Sequence, residues 1–200
     1  MHPRVITISG SHSGVGKTYL ATLLIRNLPG FAAMKVIHDD LLVCVTDDEA
    51  EIMTPGKDTA LMRQAGAREV IWIRAGERDL NDALSIAFDM VYKSGVPGVI
   101  IEGNAAARLL KPDLAFFVMN AASHSGPSAL SDMKPGALEN LKKCDVVALN
   151  TQPVQLSRMP GLTPELETAI REHNRTALIC PVERFVSPDE EIAELFRRLA

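Results

Sequence analysis

A lysine and a threonine directly behind a glycine, at the head of a helix-like run, are the residues whose spacing first suggests chemistry. The stretch Gly10-Ser11-His12-Ser13-Gly14-Val15-Gly16-Lys17-Thr18 lies between an apolar, β-like run at 4–9 and a helix-like segment from Tyr19 to Asn27. In a strand–turn–helix setting such a loop wraps an anion. Successive backbone N–H groups and the helix N-terminus point at a phosphate, the lysine bridges the β- and γ-phosphates, and the hydroxyl binds Mg²⁺. The reading is therefore a purine nucleoside triphosphate held by residues Gly10 through Tyr19, with Mg²⁺ on Thr18 and Lys17 as a candidate catalytic charge. The loop departs from Gly-x4-Gly-Lys-Ser/Thr, because Ser11 takes the first position and the glycine stands one residue earlier, at Gly10. The competing reading is a glycine-rich β-to-α turn with an incidental Gly-Lys-Thr. His12, at the loop tip, is either solvated or a phosphate contact.

Further candidates stand at the ends of later apolar runs. Residues 98–104 read Gly-Val-Ile-Ile-Glu-Gly-Asn, a strand ending in a carboxylate. Ligands of open α/β sheets gather at the C-terminal ends of strands, so Glu102 is expected beside the phosphate loop, ordering Mg²⁺ or its waters. Asn150 ends another run and could read a purine edge through its paired donor and acceptor, or simply form a turn. An Asn-Lys-x-Asp guanine box is absent, since Thr151 and Pro153 replace its Lys and Asp, so GTP and ATP both stay open. Asp58 sits where a helix cap or first-turn acid is favoured.

These residues need a scaffold of strands. Continuous apolar runs at 4–9, 32–37, 70–74, 98–102, 114–120, 145–150 and 177–182 give about seven candidate strands. Continuous rather than alternating runs are expected where helices cover both faces of a parallel sheet, so the fold class is α/β, a three-layer P-loop NTPase architecture. The helices are defended by their ends: Thr163-Pro164 starts one, residues 79–94 followed by Gly95 form another, and Ser187-Pro188-Asp189-Glu190 reads as a cap, first-turn Pro and capping box for a third. Residues 41–55, acidic and without clear helical period, and 120–135, rich in Ser, Ala, Gly and Pro, read as functional or mobile loops.

The chain of 200 residues is read as a single domain, with 46% hydrophobic and 23% charged residues. A net charge of −4 offers no footprint for nucleic acid or an anionic membrane. Cys44, Cys144 and Cys180, odd in number and without CxxC spacing, read as buried thiols in a reducing compartment. No apolar run approaches the ~20 residues of a membrane helix and no signal-peptide pattern is present, so a cytoplasmic location is expected.

The loop Gly-Ser-His-Ser-Gly-Val-Gly-Lys-Thr resembles the elongated P-loop of dethiobiotin synthetases and cobyrinic acid diamide synthases. Pro55-Gly56-Lys57-Asp58-Thr59, followed by Arg63-Gln64-Ala65-Gly66-Ala67, resembles a segment of the molybdopterin-guanine dinucleotide biosynthesis protein B family, MobB. There it follows a second strand ending in a Lys/His/Asp cluster, a place taken here by Lys35, His38, Asp39 and Asp40, so the motif order agrees over roughly residues 4 to 104. The resemblance implies that Lys35 lies close to the reacting anion, as a second candidate catalytic charge, and that Asp58 shares the metal with Thr18 and Glu102. It also implies a Mg²⁺-dependent accessory protein that binds GTP or ATP, hydrolyses it slowly, assists molybdenum cofactor maturation with a partner protein, and pairs as a homodimer. The alternative, nearer to dethiobiotin synthetase, is a ligase or kinase in which ATP activates a small carboxylate or carbamate near Lys35 and the loop 121–128. A partitioning ATPase of the MinD kind would place a second Lys within the loop, where this chain has Ser11, His12 and Ser13.

Overall fold

The computed structural model describes residues 2–121, 130, 133, 135–151 and 162–199. In chain order the elements are β1 (Arg4–Gly10), α1 (Lys17–Asn27), β2 (Ala32–His38), β3 (Cys44–Thr46), α2 (Glu49–Ile52), α3 (Asp58–Gln64), β4 (Val70–Ala75), α4 (Leu80–Ser94), β5 (Gly98–Glu102) and α5 (Asn104–Leu109). They continue with β6 (Leu114–Asn120), α6 (Pro135–Lys143), β7 (Val146–Asn150), α7 (Pro164–His173), β8 (Leu178–Pro181), a 3-10 turn (Val182–Phe185) and α8 (Glu190–Arg197).

The strands form one sheet in the order β3-β4-β2-β5-β1-β6-β7-β8. Every pairing is parallel except that of β3 with β4. The α/β, mostly parallel architecture expected from the continuous apolar runs is thus present, with eight strands among the described residues rather than about seven. The added strand lies in the segment 41–55, which is not irregular throughout: it carries β3 and the four-residue α2. A three-residue strand of Cys, Val and Thr is too short to show a period, and it forms because β4 offers an open edge. Of the second expected loop, residues 122–129, 131, 132 and 134 lie outside the described residues, as do Gln152 and Pro153.

Alternation along the buried strands separates two cores. Ile6, Ile8, Ala33, Ile100, Phe116 and Val118 face one side, against α1, α3, α8 and Phe185 of the 3-10 turn. Met34, Val36, Ile71, Ile73, Val99 and Ile101 face the other, against α4, while Phe117, Met119, Val147 and Leu149 of that side meet α6 and α7. Three layers result, and β1 runs through the middle with both faces covered.

Helix ends agree with local chemistry. The Thr163 side chain accepts the Leu166 N–H with Pro164 in the first turn, and Gly95 ends α4 in the left-handed conformation, φ 66°. The C-terminal helix differs from expectation: its cap is Asp189, accepting the Ile192 N–H, and not Ser187. Pro188 therefore precedes the cap. Asp189 wins because its carboxylate also takes the Arg184 guanidinium, at 2.7 Å.

Candidate functional site

The loop between β1 and α1 is shaped by close approach. A Cβ on Gly10 would stand 2.8 Å from the Val118 carbonyl oxygen and 2.9 Å from a Val15 methyl, so no larger residue fits there. Hence the glycine one place before the consensus position: the β6 backbone closes in at residue 10, and Ser11 follows, buried, with its N–H on the Val118 carbonyl. Gly16 has φ 99°, and a Cβ would lie 2.3 Å from the Asn150 amide nitrogen. Asn150 donates to the Val15 carbonyl at 2.9 Å, so the end of β7 holds the loop from above. Gly14, His12 and Ser13 are exposed at the tip, Tyr19 is exposed on the first turn of α1, and Val15 is buried as the loop's anchor. Lys17 bends back to donate to the His12 carbonyl at 2.8 Å.

Beside the loop, the sheet register aligns four same-face side chains. Ile8 pairs with Glu102, Glu102 with Lys35, and Lys35 with Trp72, across β1, β5, β2 and β4. Glu102 is 1% exposed, and both carboxylate oxygens are engaged. Thr18 donates its hydroxyl to Oε2 at 2.9 Å, and Lys35 donates to Oε1 at 2.5 Å. Lys35 also pairs with Asp58, the first-turn acid of α3, at 2.6 Å. Lys17, Thr18, Lys35, Asp58 and Glu102, drawn from separate parts of the chain, thus meet at the C-terminal ends of β1, β5 and β2. This is the crevice position where α/β sheets take ligands.

Electrostatics follow from this contact chain. Burial disfavours the Lys35 ammonium, but Glu102 and Asp58 together outweigh burial, and its pKa is raised above the ordinary lysine value. Lys17 goes the other way: burial dominates, and with Lys35 nearby it lowers the pKa despite the pull of Glu102 and Asp58. The oxygens of Thr18, Glu102 and Asp58 are hard donors, the set Mg²⁺ prefers alongside phosphate and water. Such an ion would compete with Lys35 for the two carboxylates.

His38, Asp39 and Asp40 are committed locally. Asp39 takes the Arg74 guanidinium and accepts the Leu41 and Leu42 N–H groups, which holds its carboxyl below the usual range, while His38 meets Asp40 at 3.2 Å. Among the described residues no group of three or more His, Cys, Asp or Glu stands as a metal site.

Sequence reasoning missed Asn104, Asn140 and Trp72. The Asn104 amide accepts the Gly10 N–H and donates to the Gly10 carbonyl, both at 2.9 Å, so the first residue of α5 fastens the start of the loop. Asn140 in turn donates to the Asn104 carbonyl at 3.0 Å. The local signal for Asn104 is its place directly after Glu102-Gly103, but an asparagine after a strand reads first as a turn. At the far side of the loop, Thr151 donates to Glu183 at 2.7 Å, linking the ends of β7 and β8 next to Asn150.

The fold defines a class. HypB from Helicobacter pylori, in complex with nickel, superposes at a TM-score of 0.62 with 12% identity, covering 99% of this chain and 87% of that one. A Zn(II)-bound triple mutant of the YjiA GTPase gives 0.56 with 17% identity, covering all of this chain (100%) and 63% of that one. The 54 kDa signal recognition particle protein from Aeropyrum pernix K1, in complex with GDP, gives 0.51 with 17% identity, covering 100% and 49%. The chain therefore has the P-loop NTPase fold and spans well under two thirds of the signal recognition particle protein. No protein-family model matches the sequence, and no curated protein matches it.

Proposed function

We propose that the chain is a Mg²⁺-dependent purine nucleotide-binding protein that hydrolyses GTP or ATP slowly. The observation that carries this reading is the contact chain Thr18–Glu102–Lys35–Asp58, set beside a glycine-shaped loop whose Lys17 already turns inward. Loop N–H groups and the start of α1 would bind the β-phosphate, and Lys17 the β- and γ-oxygens. Thr18, Glu102 and Asp58 would hold Mg²⁺, which neutralises charge on the phosphates. Lys35, released from a carboxylate as Mg²⁺ takes it, would face the charge developing on the γ-phosphoryl group. Catalysis of this kind is positioning and neutralisation; none of these side chains does covalent work.

Within that class we read a MobB-like accessory role in molybdenum cofactor biosynthesis, with a partner protein and a homodimer. It is supported by the Gly56-Lys57-Asp58 segment and by the meeting of Asp58 with Lys35. The ligase or kinase reading is supported by Lys35, a cation beside the γ-phosphate position that a carboxylate acceptor would also need.

The test is calorimetric titration with GTP and with ATP, each with Mg²⁺, on the parent chain and on Lys17→Ala. Submillimolar binding that the variant loses by more than about tenfold is expected, a difference of about 1.4 kcal/mol. Unchanged affinity in Lys17→Ala removes the phosphate-loop assignment. Preference for GTP supports the accessory role; ADP release that requires an added carboxylate supports the ligase.

A further inference from the structure

Beyond Lys35, on the side away from the phosphate loop, a cleft of about 250 Å³ is lined by Lys35, Ile37, Lys57, Asp58, Thr59 and Trp72. It continues the aligned row described above, because Trp72 is the direct cross-strand neighbour of Lys35. Its walls are of two kinds. Ile37 is 39% exposed, an apolar side chain facing outward at the end of a central strand, and the indole of Trp72 is only partly covered by the core. Lys57, at the start of α3, places its ammonium 4.0 Å from the centre of the Trp72 ring.

The charges in this cleft are unevenly matched. Lys35 is neutralised by two carboxylates, and Asp58 by Lys35. Lys57 has no carboxylate partner among the described residues; it has the indole face and a long 3.5 Å contact to the Glu51 carbonyl. A cation resting on an aromatic ring and lacking an anion is half of a recognition site. The chemistry that completes it is an anionic head for Lys57 and an apolar body for Ile37 and Trp72, in a volume suited to a small molecule and too small for a second nucleotide.

We propose that this cleft binds a small organic carboxylate, its carboxylate paired with Lys57 and its aliphatic or aromatic body against Ile37 and Trp72. The inference rests on the proposed nucleotide site for what the ligand adjoins: the γ-phosphate end of that site lies on the other side of Lys35. It does not rest on that site for binding itself.

Trp72 is the single tryptophan of the chain, so its fluorescence reads the cleft directly. The full chain, without nucleotide, is titrated with hexanoate and, as a control of the same length and opposite charge, hexylamine. A saturable change with hexanoate at about 1–10 mM is expected, with none for hexylamine. In Lys57→Gln, with circular dichroism unchanged, the hexanoate midpoint should rise by about tenfold. The absence of a saturable hexanoate response overturns the proposal, as does an equal response to hexylamine or an unchanged midpoint in Lys57→Gln. The two readings fail separately: loss of the fluorescence response with intact GTP or ATP calorimetry removes the cleft alone, whereas a response without nucleotide binding removes the proposed function and leaves the cleft.

Discussion

Lys35 is held between carboxylates of unequal burial, Glu102 at 1% side-chain exposure and Asp58 at 42%. Removing the lysine strands a buried charge, whereas removing Asp58 leaves a solvated site. Lys35→Met should therefore lower stability in urea by about 3 kcal/mol, and Asp58→Asn by well under half of that. The pH dependence has a definite sign. The folded pKa of Lys35 is raised, so its contribution is fully present below the unfolded lysine value and is lost as pH climbs through the higher folded one. Lys17 is lowered, so its ammonium is lost earlier than that of an ordinary lysine. Nucleotide affinity, measured by titration at stepped alkaline pH, should accordingly begin to fall while the fold is still intact. A fall coincident with unfolding would show that Lys17 carries no charge to the phosphate.

At the scale of elements, the loop is positioned from two sides: α5 through Asn104 at Gly10, and β7 through Asn150 at Val15. Asn104→Ala leaves a polar pair on Gly10 without its partner, for a loss of about 1–3 kcal/mol. It should also speed hydrogen exchange at Gly10, which Asn104→Asp would restore in part by accepting the same N–H. Thr163→Ala, at the cap of α7, should lower stability by about 1 kcal/mol, read as a lower Tm. It should leave nucleotide titrations untouched, since α7 packs on the far side of the sheet. The elements that the sequence made legible are those whose signal is local. Gly-Lys-Thr behind a β-run, Thr163-Pro164, and the unbroken apolar stretch before Glu102 each need no distant partner to be read. The parts that were missed depend on register. That Trp72 stands beside Lys35, or that Asn104 reaches Gly10, follows from which strands are neighbours, and nothing in a linear pattern fixes that order. The short β3 was missed for a related reason, because its pairing comes from the β4 edge and not from its own three residues.

For the molecule as a whole, the three cysteines divide by depth. Burial pushes the Cys144 thiol up to about 12 and the Cys180 thiol up to about 11, while Cys44 on β3 is only partly covered. The expectation of three buried thiols thus holds for two. A thiol reagent near neutral pH should modify one cysteine per folded chain and all three after denaturation; modification of Cys144 or Cys180 in the native protein would mean that α6 or the 3-10 turn opens readily. None of the helices among the described residues is long and apolar enough to cross a membrane. The likeness to HypB and to YjiA extends over nearly the whole chain at 12% and 17% identity, so what is shared is the architecture of the fold.

The row Glu102–Lys35–Trp72 crosses three adjacent strands, each step fixed by backbone pairing at about 4.8 Å, so its ends stand roughly 10 Å apart. The sheet acts here as a ruler. Side chains can swing and loops can shift, but this interval cannot change without breaking the ladder itself. Any molecule that touches both the carboxylate end and the indole end must therefore match a length set chiefly by main-chain geometry. A substitution along the row therefore changes what stands at each position and not the backbone interval between the positions.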